Sequence, residues 1–499
     1  MSHVIKRNLI ANYLGQGWFA IMNLAFIPLY IKYLGIEAYG LIGLFALLQA
    51  WLSLLDMGMT PALSREMARF SGGGRSVQSI RDLLRSVELI AVGIGLLIAG
   101  GMVLGAEWLA ANWLQTEALP VEVVAQAFVV MGLVAALRFI ESIYRSSIIS
   151  LQRQVLFNII NSAMITLRGL GAVAILAWVS STVEAFFLWQ GLVSILTLGA
   201  LATATYASLP RAEHVAHFSL NALRGLWRFA GGMFSITFLA LLWIQVDKVL
   251  LSKLLSLSEF GYYMLAATVA GALYTLIGPI VQAVYPRMCE QHTRKDNAAL
   301  IGLYHKSAQL VSVFAGSAAI VMILFAENFL RLWTQDQDLS MRTAPLLSLL
   351  TLGNLIGGLM SVPYHTQLAH GWTSLSIKVN FVAVVVIVPA ILLVTPHYGA
   401  VGAAWCRVGL NLGFVLVAAG FMYRRILSTE KWRWYVKDLL APLLSGVAVA
   451  LLLKLIWPFT NTLISDLLLL CSAAIMTTGA ALLAATRVRR QFIQMLLSR

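Results

Sequence analysis

The chain has 499 residues, 60% of them hydrophobic and only 11% charged, a formal net charge of +14 and a mean hydropathy of +0.83. A water-solvated surface needs far more charge than this, so a soluble enzyme is excluded, and the positive charge need not mean nucleic acid until the basic residues are placed relative to apolar spans. Three scattered cysteines, Cys289, Cys406 and Cys471, give neither a disulfide framework nor a metal-ligand spacing, and no cofactor or metal motif accompanies them.

A bilayer core of about 30 Å is crossed by roughly 20 apolar helical residues. Lys6 and Arg7 precede an apolar stretch, Leu9 to Ile31, that exceeds a signal-peptide core and reads as a first retained membrane helix. Further spans follow near 40–62, 86–106, 123–146, 156–179, 183–206, 226–247, 261–285, 307–326, 344–366, 376–395, 399–422, 438–457 and 463–486, about fourteen crossings in an all-α polytopic protein. Most of the 35 basic residues fall on one set of alternate connections: Arg65 to Arg85, Arg145 and Arg153, Arg287 to Lys306, Arg424 to Lys437, and Arg487 to Arg499. This positive-inside pattern accounts for the net charge without nucleic acid, favours contact with anionic membrane lipids, and puts both termini in the cytoplasm. Trp108, Trp333, Trp432 and Trp457 near span ends read as interface anchors.

An internal repeat runs along the chain. Tyr39-Gly40 and Phe260-Gly261 each open a helix, Glu37 and Glu259 precede them, Arg65 and Arg287 close the same helices, and Asn158 matches Asn380. The offsets of 221 to 222 residues imply two six-helix lobes of like orientation, 1–215 and 216–430. Residues 431–499 form an appended two-helix hairpin and basic tail.

Four segments carry a family resemblance: Pro28 to Gly40 (PLYIKYLGIEAYG); Leu55-Asp56-Met57-Gly58 leading to Ala62 through Arg69; Val246-Asp247-Lys248 through Phe260-Gly261-Tyr262-Tyr263; and Tyr398-Gly399 through Ala404. The chain resembles the polysaccharide transporters of the multidrug/oligosaccharidyl-lipid/polysaccharide exporter superfamily, which include O-antigen flippases. The resemblance implies two bundles in a V shape, a central cavity and alternating access. It implies a non-enzymatic flippase of a bacterial inner membrane, with an undecaprenyl-diphosphate-linked oligosaccharide as substrate and a polysaccharide polymerase and chain-length regulator as partners.

Charges inside the hydrocarbon are costly and therefore informative. Arg138, Glu141 and Arg145 share one helix face and either neutralise one another or form a polar cavity wall. Arg168 lies about 18 Å from the start of its helix, counted at 1.5 Å per residue. It needs either a substrate phosphate or an aqueous cavity, or else an interhelical ion-pair partner such as Asp56. Arg65 and Arg287, at equivalent helix ends, are either membrane anchors or phosphate ligands at a cavity mouth. Asp56 and Asp247, with Glu141, are candidates for ion coupling or gating, against helix capping and local salt bridges. Asn12, Gln16, Gln49, Gln245 and Gln282 meet either sugar hydroxyls or polar groups on neighbouring helices.

Two other functions compete. A membrane polymerase or glycosyltransferase would need a sizeable extramembrane loop with acidic or His groups, and the outer loops are short. A multidrug/cation antiporter of the same superfamily would favour acids in its cavity, whereas the deepest isolated charge is Arg168. Gly72-Gly73-Gly74 lacks the following Gly-Lys-Ser/Thr of a nucleotide-binding loop. Gly101/Gly105, Gly353/Gly357 and Gly409/Gly413 have the spacing of close helix packing.

Overall fold

A computed structural model describes residues 3–71, 74–211, 214–220, 223, 234, 238, 241–242, 244–372, 374–457 and 462–497. Nearly all of it is helical, and the one extended pairing among these residues is an isolated bridge between Gln115 and Ser256. Twelve described segments are long and apolar enough to cross a membrane, which makes this a multi-pass membrane protein. The expected span at 226–247 lies largely outside the described residues. The Ser374–Arg425 segment has 52 residues, about 78 Å if straight and far longer than one crossing. It breaks at Gly399, whose φ of 57° and ψ of −149° lie outside helical space, and its two arms line a common groove. The hydropathic run therefore consists of two helices joined at Gly399, long enough together for two crossings; the total of fourteen stays an expectation.

The chain forms two compact units, Met1–Gly261 and Tyr262–Arg499. Packing thus draws one boundary, and the three-part division at 215/216 and 430/431 remains a proposal about the repeat.

The first unit runs through α1 (His3–Ala25), α2 (Ile27–Leu34), α3 (Ile36–Leu52), α4 (Met59–Ser71), α5 (Val77–Trp108), α6 (Val121–Ser150), α7 (Gln154–Trp178) and α8 (Val183–Ser208). Pro28 sits in the first turn of α2, where its missing N–H costs nothing. Ser76 and Thr182 cap α5 and α8 by accepting from the backbone N–H of Ser79 and Ala185. Helix α6 is central, packing on α4, α5 and α8. Leu41, Leu63, Met67, Ile80, Phe128 and Phe187 are fully buried.

On α4, Glu66 accepts from Arg75 Nε at 2.6 Å and Arg69 Nη1 at 3.2 Å. Burial raises its carboxyl, but these two guanidiniums outweigh burial and hold it below the usual carboxylate range.

The paired glycines of the repeat meet. A Cβ on Gly40 would lie 2.5 Å from Leu257 O, and one on Gly261 would lie 2.3 Å from Ile36 O. The contact is reciprocal and lies within the first unit. Glu37 beside it is buried and accepts the backbone N–H groups of Glu117 and Ala118 at 2.8 and 2.9 Å.

Helix α9 (Leu257–Gly271) carries the chain into the second unit, followed by α10 (Leu273–Thr293), α11 (Asn297–Leu324), α12 (Ala326–Thr334), α13 (Gln337–Leu359), α14 (Ser361–Ala369), α15 (Ser374–Gly413), a π-helical turn Phe414–Ala418 and α16 (Ala419–Arg425). The last helices are α17 (Ala441–Ile456), α18 (Leu463–Ala484) and α19 (Thr486–Leu497). Tyr304, Tyr423 and Trp434 are buried in its core, with the two tyrosine hydroxyls hydrogen-bonded to each other.

The C-terminal helices are built into this unit. Arg331 binds both oxygens of Asp466, at 2.7 and 2.6 Å, and Asn328 Nδ2 donates to the same carboxylate. The fully buried ring of His305 bridges Asp438 and Glu430. Gln309 donates to Asp438 at 2.8 Å and accepts the backbone N–H of Arg487 at 2.9 Å.

The four-residue glycine spacings separate into two kinds. Gly357 is packed against Asn411, while a Cβ on Gly101, Gly409 or Gly413 would meet nothing within 4 Å. Close packing holds for Gly357 and fails for the other three, because spacing defines a helix face and not what covers it.

Candidate functional site

A cavity of about 530 Å³ lies in the first unit. Helices α3, α6 and α7 and the turn before α4 bring Gln49, Asp56, Arg138, Glu141, Arg145 and Arg168 to its wall. On α6, the spacings of three and four residues put Arg138, Glu141 and Arg145 on one face, and that face is the cavity wall.

Glu141 lies close enough to Arg138, Arg145 and Arg168 for its charge to act on all three, but the hydrogen bonds and ring contacts of the two α6 arginines go elsewhere. Arg138 Nη1 donates to Gln49 Oε1 at 2.7 Å and Nη2 to Gln190 Oε1 at 3.1 Å, while its guanidinium lies 5.2 Å from the Phe45 ring centroid. Arg145 stacks over Phe157 at 5.3 Å. Among the described residues no ion pair within 4 Å involves Glu141, and its buried Oε2 has no hydrogen-bond partner. Arg138 thus combines interhelical hydrogen bonds to two amides with the nearby charge of Glu141, so the face is a polar cavity wall that also holds a countercharge.

The carboxylate whose charge acts on Arg168 is Glu141, from the facing helix α6. Arg168 Nη2 donates to Ser194 Oγ at a long 3.4 Å, and its Nε is buried without a partner, as is that of Arg138. Asp56 turns to the start of α4, accepting from Thr60 N at 3.0 and 3.1 Å and from Thr60 Oγ1 at 2.5 Å. It caps that helix and forms no ion pair with Arg168.

The other candidates lie elsewhere. Asn12 donates to Gln154 Oε1 and accepts from Asn158 Nδ2, both at 2.8 Å, tying α1 to α7. Gln16 and Gln282 are exposed. Gln245, in a helical stretch before α9, keeps a buried Oε1 without a partner. Asp247 is buried 3.4 Å from Lys248 Nζ. Arg65 is exposed on α4 and Arg287 is exposed on α10 next to Pro286, one in each unit.

Sequence reasoning missed Gln190 and Ser194, which hold the two deep arginines. Their signal was available: Gln190, Ser194, Thr197 and Thr205 are buried polar residues on one stripe of an otherwise apolar α8. A stripe of buried polar residues inside a membrane helix marks the face turned towards protein or water.

The arrangement offers donors to an anion. Arg138 is fixed as a planar fork by two amides, and Arg168 has donor capacity to spare, in a cavity whose Asp56 is already occupied by Thr60. Among the described residues no group of three or more His, Cys, Asp or Glu side chains has the placement to hold a metal ion.

Comparison with known proteins assigns the chain. The profile of the family described as "Polysaccharide biosynthesis protein" matches residues 32–341. The chain belongs to the polysaccharide biosynthesis protein family. A curated relative, the "Putative O-antigen transporter" of Shigella flexneri, is 21% identical over 234 residues, 47% of this chain and 54% of that protein, so the match spans about half the relative's length. Among solved structures, the lipid II flippase MurJ in an inward closed conformation superposes with a TM-score of 0.69 at 14% identity, covering 97% of this chain and 99% of that one. An inward-facing multidrug-resistance MATE transporter of the MOP superfamily gives 0.63 at 14% identity, covering 82% and 95%. At such identities these likenesses define the fold of this family member, a MurJ- and MATE-like helical architecture.

Proposed function

We propose that this protein is a transporter that flips an oligosaccharide linked to undecaprenyl diphosphate from the cytoplasmic to the outer leaflet of a bacterial inner membrane, for assembly of a surface polysaccharide. The observation that carries the reading is the pair of deep guanidiniums, Arg138 and Arg168, at the wall of one cavity with Arg145, three cations against the single carboxylate Glu141 whose charge acts on them. A diphosphate presents several strong acceptors, and guanidiniums at the wall suit charge-assisted bonds to it. Gln49 and Gln190 would hold Arg138 in place, while Arg145 would add positive charge at the wall. The family profile and the name of the Shigella flexneri relative support the substrate class.

Outward movement of a negatively charged headgroup is favoured by an inside-negative potential, by about 2.3 kcal/mol per charge per 100 mV, so the step can run without a coupling ion. Both termini are cytoplasmic in this reading, and the basic connections face the inner leaflet.

One observation favours a second reading, a cation antiporter: the unpartnered Glu141 oxygen in the same cavity, together with the MATE-like fold. A deletion strain separates the two. Accumulation of an undecaprenyl-linked glycan inside the cell, reversed by the wild-type gene, is the expected result. Unchanged glycan with raised sensitivity to cationic drugs would replace the flippase reading by the antiporter.

A further inference from the structure

The second unit carries a groove that the arginine cavity does not explain. Its volume is about 760 Å³, and it lies between the two arms of the segment that breaks at Gly399. Val379, Val382 and Val386 form one wall, Leu410, Phe414 and Val417 the other. The floor is bare: Gly409 and Gly413 line the groove, and a Cβ on either would meet nothing within 4 Å. A helix face stripped of side chains but not approached by a neighbour leaves room for a guest.

One end of the groove is charged. Lys378 lines it, and Trp372 beside it carries the Arg425 guanidinium 4.7 Å from its ring centroid while its Nε1 donates to Ser374 Oγ at 3.0 Å. An indole with adjacent cations is the composition of a membrane interface, and basic pockets between helices on the cytoplasmic side suit anionic headgroups. From Lys378 to Ala390, at the far end, the first arm rises about 18 Å, close to half the thickness of a 30 Å hydrocarbon core. That depth suits an acyl chain confined to one leaflet.

We propose that this groove binds one anionic phospholipid, with its phosphate at Lys378 and Arg425 and an acyl chain lying over Gly409 and Gly413. The site lies wholly in the second unit, so its occupancy is measured without reference to transport, and its failure would leave the arginine-cavity reading untouched.

The test is native mass spectrometry of the delipidated full chain in mild detergent, titrated with phosphatidylglycerol or with phosphatidylcholine of the same chains. One phosphatidylglycerol should be retained per chain, about tenfold more tightly than phosphatidylcholine, as two interfacial cations allow. Gly413→Phe and, separately, Gly409→Leu fill the floor and should abolish retention. The double variant Lys378→Ala/Arg425→Ala alters only exposed side chains, so it should fold and bring the two lipids within about twofold of each other. Equal retention of both lipids by the wild type, or a headgroup preference that survives the double variant, would overturn the proposal. So would undiminished binding in properly folded floor variants. Displacement of phosphatidylglycerol by undecaprenyl phosphate at equal concentration would reassign the groove to the substrate's tail, and a dimer formed through the groove would reassign it to a second copy.

Discussion

Gly40 and Gly261 pack against each other's helix starts: the Cβ position of Gly40 is 2.5 Å from Leu257 O and 3.4 Å from Gly261 N, and that of Gly261 is 2.3 Å from Ile36 O. Backbone oxygen cannot move aside as a side-chain end can. Valine at either glycine should therefore destabilise the first unit by about 1–3 kcal/mol, the usual cost of overpacking. Gly199→Val on α8 is the control, since nothing lies within 4 Å of that Cβ position. Thermal unfolding in detergent reads the result, and equal melting of Gly261→Val and the control would show that the joint is loose.

Arg168 offers the sharpest test of phosphate recognition. Lysine keeps the charge but loses the planar fork, and alanine loses both, so glycan export should fall in the order Arg, Lys, Ala. The Ala variant should lose about 2 kcal/mol of substrate interaction, roughly thirtyfold, if the guanidinium bonds a phosphate. Gln49→Leu should weaken export as well, by leaving the Arg138 fork unanchored on α3. Export is measured in a deletion strain at matched membrane abundance, and full activity of Arg168→Ala would reduce that residue to a structural one.

Glu66 predicts a pH dependence of stability. Its folded carboxyl is held below an unfolded value of about 4.3, so the unfolded state binds the proton more readily. The contribution is fully present above that unfolded value and is lost as pH falls through the folded one. Glu66→Gln should cost about 1–2 kcal/mol at neutral pH and flatten the acid limb of the stability curve. Parallel acid limbs for variant and wild type would place the titration elsewhere.

A hairpin merely appended to the lobes would be dispensable. Truncation after residue 430 instead removes Asp438 from His305 and Gln309, and Asp466 from Arg331, leaving a buried ring, a buried amide and a cation uncompensated. The shortened chain should lose protease resistance in its second unit while the first keeps its own. Retained resistance of both units would show these contacts to be secondary.

Reporter fusions check the topology drawn from the basic residues. A fusion after Arg499 should be active with a cytoplasmic reporter and silent with a periplasmic one. The opposite result would invert every connection.

The sequence by itself determined the medium, the secondary structure and most spans, because roughly 20 apolar residues in a row have no stable place except a membrane helix. It also singled out Arg138, Glu141 and Arg168, since an intramembrane charge is too costly to be incidental. It did not determine their partners. Periodicity says which side chains share a face, and the charges three apart on α6 suggested an internal pair, yet the decisive acceptors, Gln49 and Gln190, come from α3 and α8. Glycine spacing was equally mute: Gly357 meets Asn411 while Gly409 and Gly413 open onto a groove. Which helix covers which face is set by packing among distant segments, and only the tertiary structure holds that information.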